Sequence, residues 1–145
     1  MTERRAFFLV CDDLLMALNG KITIVGAYSN DIIIASDPFT IGQLVFWFQI
    51  ETPIAKPLQK LELQVSLPGD ETPRRLDVPQ SILSPISAAA GRTKITYRWP
   101  FLLAPVQLRP GPIELKLIHE EGVMDVGVQW VVTVAQVQAS QGGLA

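Results

Sequence analysis

Residues 19–23, Asn-Gly-Lys-Ile-Thr, place glycine, lysine and threonine close together, as a phosphate-binding loop does. Such a loop needs the spacing G-x-x-x-x-G-K-[ST] and a helix directly after it. Here the first glycine is absent, Thr23 comes one position late, and residues 22–25 have the composition of a strand. An Asn-Gly pair between two apolar runs is the strongest short signal for a β-hairpin. The segment therefore predicts a type I′ hairpin turn at Asn19–Gly20 and no nucleotide site.

His119 is the single histidine of the chain, and Glu120 and Glu121 follow it directly. A histidine beside carboxylates can bind a metal or act as a general base. A turn between two strands also collects polar residues, and no serine, cysteine or second histidine is placed to complete a catalytic set. The sequence favours a turn role for His119. It predicts no catalytic residue, no metal ligand and no cofactor, and hence a protein that is not an enzyme.

Aspartates near predicted strand ends suggest an alternative. Calcium-dependent β-domains gather loop carboxylates at one end of the fold, although no D-x-D-x-D-G loop is present here. The alternative is a small enzyme, or a ligand- or metal-binding domain, with a loop site near Asp12, Asp31 and His119. Cys11 precedes two carboxylates, which disfavour a reactive thiolate, and is expected to be a small core residue.

Composition limits the partners and the compartment. The net charge is −2 with no dense Lys/Arg patch, which disfavours nucleic-acid binding. One cysteine allows no internal disulfide, as suits a reducing compartment. The apolar run 6–11 ends at Asp12 and Asp13, too short for a signal peptide, and no run approaches the roughly 20 residues that span a bilayer. We expect a cytoplasmic protein without membrane insertion.

The elements that must position these residues are strands. Apolar and polar residues alternate with a period of two, as in Leu61, Leu63 and Val65, and prolines and glycines separate the runs. The predicted strands cover residues 6–17, 21–28, 31–35, 42–51, 59–67, 74–78, 93–102, 113–119 and 123–135. This pattern indicates an all-β fold, an antiparallel two-sheet β-sandwich of about eight strands, immunoglobulin-like or C2-like. Residues 1–135 form the single domain, and residues 136–145 are expected to be a disordered tail.

Several strands are apolar on both faces. Leu44, Phe46 and Phe48 share one face of their strand, and Val45 and Trp47 lie on the other. Residues 32–34 and 130–132 are apolar on both faces as well. Charged residues make up 18% of the chain, against about 25% in a typical soluble domain, so apolar surface needs a cover.

Two covers for that surface remain open, namely the long loop 79–92 or a second subunit. The candidate interface residues are Val45, Trp47, Ile33 and Val131. We expect a homodimer, because closed dimers are the commonest homo-oligomers, and any further protein partner is unidentified.

Several stretches resemble an uncharacterised family of small bacterial proteins. They are "FFLVCDD", "NGKITIVGAYSNDI" and "DPF" near the start and "GPIELKLIHEEGVMDVGVQWVV" near the end, which is similar to the final hairpin of that family. The resemblance implies a small β-sandwich of unknown function and supplies no catalytic residues. The sequence as a whole predicts a non-catalytic binding or assembly module.

Overall fold

The strands of this chain form three sheets in a computed structural model that describes residues 3–83 and 91–142. In chain order the elements are β1 (Arg5–Met16), β2 (Ile22–Ala27), β3 (Ile32–Ile34), β4 (Phe39–Ile41), β5 (Leu44–Pro53), β6 (Leu61–Ser66), β7 (Arg74–Asp77), α1 (Gln80–Leu83), β8 (Lys94–Leu103), β9 (Val106–Leu108), β10 (Gly111–His119), β11 (Gly122–Thr133) and α2 (Val134–Gly142). The sheets have the orders β2-β1-β5-β8, β3-β11-β10-β6-β7 and β4-β9. The all-β class is confirmed, and the strands are distributed over more sheets than the two predicted.

The alternation of apolar residues correctly identified most of the core. Phe46 and Phe48 of β5, Leu63 of β6 and Leu115 and Leu117 of β10 are buried as predicted. These side chains come from both larger sheets and belong to one cluster of buried residues. The core therefore joins the four-stranded and five-stranded sheets through the faces that the period of two assigned to it.

Strand β11 presents the opposite face to the one its apolar pattern suggests. Val131 is only 1% exposed and lies in the core, whereas its neighbour Trp130 is 51% exposed. Gln129 is also buried. Its amide donates hydrogen bonds to the backbone carbonyls of Asn30 (2.9 Å) and Trp130 (3.3 Å), which compensate the burial. A register shift opposite Leu115 adds one residue to β11. Because the buried glutamine is satisfied by backbone carbonyls, the polar residue can lie inside and the tryptophan outside.

Residues 134–142 form a helix, whereas the sequence predicts a strand as far as residue 135 and a disordered tail from residue 136. Thr133 and Gln136 form a reciprocal cap: the Thr133 N–H donates to Gln136 Oε1 (2.8 Å), and the Gln136 N–H donates to Thr133 Oγ1 (3.1 Å). This is the T-x-x-Q capping box, which satisfies two backbone donors at a helix start. The cap gives α2 a defined beginning, although α2 contributes no buried residue.

The far half of the first hairpin extends beyond the sheet. β1 pairs with β5 only as far as Cys11, so residues 13–16 pair with β2 alone. We call residues 13–27 the arm. Its large apolar side chains are exposed on both faces. They are Leu15, Met16, Leu18, Ile24 and Val25.

The tip of the arm is a tight turn, as predicted, but of a different type. The Gly20 N–H donates to Ala17 O (3.1 Å), and the Ala17 N–H donates to Lys21 O (2.8 Å). Gly20 has φ 79°, and no described non-glycine residue has a positive φ. A type I′ turn would need positive φ at Asn19 too, so Leu18 and Asn19 form the turn and Gly20 follows in the left-handed region.

Candidate functional site

A group of hydrogen-bonded polar side chains surrounds Arg4. Its Nε donates to Thr52 Oγ1 (3.0 Å), and its Nη2 donates to Lys56 O (3.1 Å) and to the Glu120 carboxylate. Its Nη1 donates to His119 Nδ1 (2.9 Å). We call these five residues the Arg4 cluster. The Arg4 side chain is only 5% exposed, so its charge is held by these acceptors with little help from water.

The hydrogen bonds of His119 fix its neutral form. Nδ1 accepts from Arg4 and also from the backbone N–H of Glu121 (3.1 Å). Because both partners are donors, the ring proton is on Nε2. Burial lowers the pKa of His119 below its usual 6.5, the Arg4 charge lowers it further, and Glu120 and Glu121 offset part of this. Protonation at Nδ1 would place a proton against two donors, so this atom is a poor general base.

Glu120 and Glu121 both form ion pairs with Arg4, and Glu120 also accepts a hydrogen bond from it. Burial raises the pKa of Glu120, but hydrogen bonds from its own backbone N–H, from Arg4 and from the Gln59 N–H outweigh burial and hold the pKa below 4.5. The ionised form is therefore favoured in the folded protein. Glu120 completes a contact between the segment before β1 and the turn that joins β10 to β11.

A cleft of about 350 Å³ opens beside the Arg4 cluster and is bordered by charged groups of both signs. Its lining residues are Glu3, Arg4, Pro53, Lys56, His119, Glu121 and Met124. Within residues 3–83 and 91–142, no three His, Cys, Asp or Glu side chains gather closely enough to hold a metal ion. The guanidinium nitrogens of Arg4 and Nδ1 of His119 already have hydrogen-bond partners within the chain. These contacts give both side chains a structural role.

The structure does not bring the three residues of the alternative site together. Asp12 Oδ1 accepts a hydrogen bond from the Tyr28 hydroxyl (3.1 Å), and Asp31 is exposed just after that tyrosine. His119 contacts Arg4, which precedes Asp12 by eight residues of nearly extended chain, roughly 25 Å. Asp12 and Asp31 therefore lie toward one end of β1, and His119 lies at the other.

The four predicted interface residues have different environments. Val45 and Val131 are each 1% exposed and are buried within the single chain, which removes them from any surface. Val45 lies opposite Cys11, at the end of the sheet where the Gln43 amide donates to Asp12 O (3.0 Å) and Asp13 Oδ1 (2.9 Å).

The other two predicted interface residues remain accessible. Trp47 is half-buried between Leu9 and Pro100 on the neighbouring strands. Ile33 is 56% exposed. Sequence reasoning missed Trp130 and Val128, which are exposed on the same sheet as Ile33, because it placed Val131, on the opposite face of β11, at the interface.

A second cleft, of about 290 Å³, separates β1 from β11 at the base of the arm. Its lining residues are Phe8, Leu9, Val10, Tyr28, Ser29, Asn30, Asp31, Val128, Gln129 and Trp130. Exposed apolar side chains thus occur both at the tip of the arm and at the edge of this cleft. We call it the Trp130 cleft.

Comparison with known proteins does not assign the chain to a family. No family model matches the chain, and no curated protein or solved structure matches it. Neither helix in the described ranges has the length and apolar character needed to cross a membrane.

Proposed function

We propose that this chain is a non-catalytic binding or assembly module that associates with a second copy of itself. The observation that supports this most directly is the arm, which exposes large apolar side chains on both faces. A two-stranded hairpin is marginally stable in water unless it packs against something else. An exposed apolar surface of this kind marks an interface in soluble proteins.

The charged residues of the arm do little to solubilise it. Asp13 and Lys21 are its charged residues, at positions on either side of the apolar stretch of β1. Ile33 and Trp47, the accessible members of the predicted interface, add apolar surface on the two larger sheets. Burial of such surface is favourable by about 25 cal/mol per Å², before the entropy of association is subtracted.

A structural role for the Arg4 cluster supports the non-catalytic part of the proposal. An arginine whose donors are used by four partners is held in place, and His119 offers no free basic nitrogen on that side. In the proposed protein the two larger sheets form the layers of a sandwich, as the resemblance to small bacterial proteins implied. The single, buried Cys11 suits a cytoplasmic location.

Sedimentation velocity over a wide range of protein concentration tests self-association. A dimer at micromolar concentration that dissociates on dilution is the expected result. A wild-type protein that stays monomeric throughout would overturn the proposal. Thermal melting against a panel of divalent metals and nucleotides runs beside it, and a clear rise of the melting temperature with one ligand would favour the loop site near Asp12 and Asp31 instead.

A further inference from the structure

The outer edge of β2 is unpaired in the part of the chain that the structure describes. β2 is the last strand of its sheet and pairs only with β1. The hydrogen bond between Ala17 and Lys21 sets the alternation of the ladder. By that alternation, Thr23 and Val25 bond to β1, whereas Ile22 and Ile24 direct their backbone N–H and C=O groups outward. Such an edge is a template for another strand.

Three other edge strands, β3, β7 and β8, carry features that oppose strand addition, whereas β2 has neither charge nor proline. β7 is short and contains Arg74, Arg75 and Asp77. β8 contains Lys94, Arg98 and Pro100, and β3 has only 3 residues. Charge, proline and shortness are the usual protections of an exposed edge. Residues 22–27, Ile-Thr-Ile-Val-Gly-Ala, contain no charge and no proline, so this edge lacks those two protections against a partner strand.

We propose that two copies of the chain pair through β2, antiparallel, about a twofold axis at Ile24. Side chains of opposed strands must point to the same face, so an antiparallel self-pair places some residue opposite its own copy. Of the two positions whose backbone groups point outward, Ile24 is nearer the middle of β2, and we place the axis there. The pairing rests on the proposed self-association and specifies its site. It joins the two four-stranded sheets into one continuous sheet.

This register brings the arm of each copy to the Trp130 cleft of the other. With Ile24 opposite Ile24, Lys21 lies opposite Ala27, and Gly20 lies opposite Tyr28 of the second copy. The turn at the tip then reaches residues 28–30 of the second copy, which line the Trp130 cleft. Leu18, fully exposed at the tip, comes to the mouth of that cleft. The most exposed apolar residue and the apolar edge of the cleft thus meet.

The charges and the area are consistent with a second copy as the occupant. Lys21 faces alanine in this register, so no like charges oppose each other. The apolar side chains that this register brings together are Leu18 and Ile24 of one copy and Ile24, Val128 and Trp130 of the other, each at least 43% exposed in the single chain. New backbone hydrogen bonds along β2 add to this contact, and a standard stable interface buries roughly 800 Å² per partner.

A cysteine at position 24 tests the pairing directly. Opposed residues in a hydrogen-bonded antiparallel pair have Cα atoms about 5.5 Å apart, within the range of about 4.4–6.8 Å that a disulfide bridges. We expect the Ile24→Cys variant to form a covalent dimer under mild oxidation. Ile33→Cys is the matched control, since Ile33 is 56% exposed on an edge strand of the other large sheet. The native Cys11 is buried and does not contribute.

Lysine substitutions test the same register without oxidation. Ile24→Lys places like charges across the axis and Leu18→Lys places a charge at the cleft, so each weakens the dimer at least tenfold in sedimentation experiments. Val123→Lys, at an exposed residue away from the arm, leaves the dimer unchanged. Circular dichroism checks that each variant is folded. If Ile24→Lys does not fold, the comparison of Ile24→Cys with Ile33→Cys decides whether β2 pairs with its copy.

The outcomes separate this pairing from self-association in general. A wild-type dimer that survives Ile24→Lys, with no disulfide at position 24, would show that the copies associate elsewhere and would overturn the β2 pairing alone. A wild type that is monomeric at every concentration would overturn both the self-association and the β2 self-pair. That holds also if β2 pairs with a strand of a different protein.

Discussion

Arg4 keeps its charge in a place where water hardly reaches it. A buried guanidinium is tolerated only when its donors have acceptors, and here Thr52, Lys56, His119 and Glu120 provide them. Removal of the cation would leave the Glu120 carboxylate without its ion pair and Lys56 O without a donor from Arg4. At the scale of residues, the cluster is therefore a tether for the segment that precedes β1.

Replacing Arg4 with methionine is expected to lower the free energy of unfolding by about 1–3 kcal/mol, because polar partners lose their hydrogen bonds. Urea unfolding measures the change. The matched control is Arg5→Met, one position along, where the side chain is exposed. A surface change of that kind stays within about 0.5 kcal/mol. Equal losses for both variants would contradict a tethering role for Arg4.

His119 predicts a dependence of stability on pH. Its pKa is lowered in the folded protein, by burial first and then by Arg4, so folding favours the neutral ring. The associated stability is fully present above the unfolded value of about 6.5 and is lost as the pH falls through the folded pKa. Urea unfolding between about pH 7.5 and about pH 5 should show this loss.

The control for this pH dependence is His119→Asn, which keeps a short acceptor but does not titrate. Its unfolding free energy should change less over the same range than that of the wild type. Glu120 also has a lowered pKa, and the stability that it contributes is lost only as the pH falls below 4.5. The losses of stability from His119 and from Glu120 therefore occur in different pH ranges. Identical pH profiles for wild type and variant would rule out His119 as the titrating group.

At the scale of elements, the arm depends on its turn. Gly20 has φ 79°, and a Cβ there would meet nothing within 4 Å, so the constraint comes from the backbone and not from crowding. Gly20→Val is expected to cost on the order of 1 kcal/mol or more, because a β-branched residue strongly disfavours positive φ. Urea unfolding and hydrogen exchange in β2 measure it.

Gly20→Asn is the conservative comparison, since asparagine tolerates the left-handed region far better than valine. It should retain most of the stability that Gly20→Val loses. If valine were as well tolerated as asparagine, the turn would not need a left-handed residue at this position, and the hairpin loop would have to be placed elsewhere.

The elements themselves were largely predictable, because period-two alternation and Pro/Gly punctuation are local signals. The strands of residues 61–66 and 111–119 lie where the alternation predicted them. The three-residue strands β4 and β9 were missed, since so short a pairing leaves no periodic pattern. The T-x-x-Q pattern of Thr133 and Gln136 is a local signal for a helix start, and α2 begins there. Residues 84–90 of the predicted loop 79–92 lie outside the described residues.

At the scale of the whole molecule, the edges of the two large sheets approach each other at Gly127. A Cβ on Gly127 would lie 2.4 Å from Phe8 Cε1, closer than real atoms approach. Gly127→Ala should therefore push β1 and β11 apart or displace the ring, at a cost of about 1–3 kcal/mol. Gly42→Ala is the control, because a Cβ there has open space.

A double-mutant cycle confirms the contact. Phe8→Leu replaces the ring with a smaller side chain, which makes room for a Cβ at position 127. The double variant Gly127→Ala/Phe8→Leu should therefore lose less stability than the sum of the two single variants. Additive losses would mean that the alanine does not press on Phe8. Urea unfolding of the four proteins supplies all the values.

The candidate site was less predictable than the fold, because its determinants are not local. The pairing of Arg4 with His119 joins residues 115 positions apart, and nothing near Arg4 in sequence indicates it. The outward face of β11 depended on Gln129 finding two backbone acceptors, which a hydrophobic pattern cannot show. The exposed arm depended on where β5 stops pairing with β1, a tertiary fact that a strand prediction does not contain.

The separation of Arg4 from His119 also sets an order in time. A ribosome adds about 5–20 residues per second, so His119, which follows Arg4 by 115 positions, appears roughly 6–23 s later. During that interval β1, β2 and β5 can already pair, but the guanidinium has neither its histidine nor its glutamate. A nascent chain stalled before residue 119 would therefore present a first segment that lacks the hydrogen bonds holding it in the finished protein.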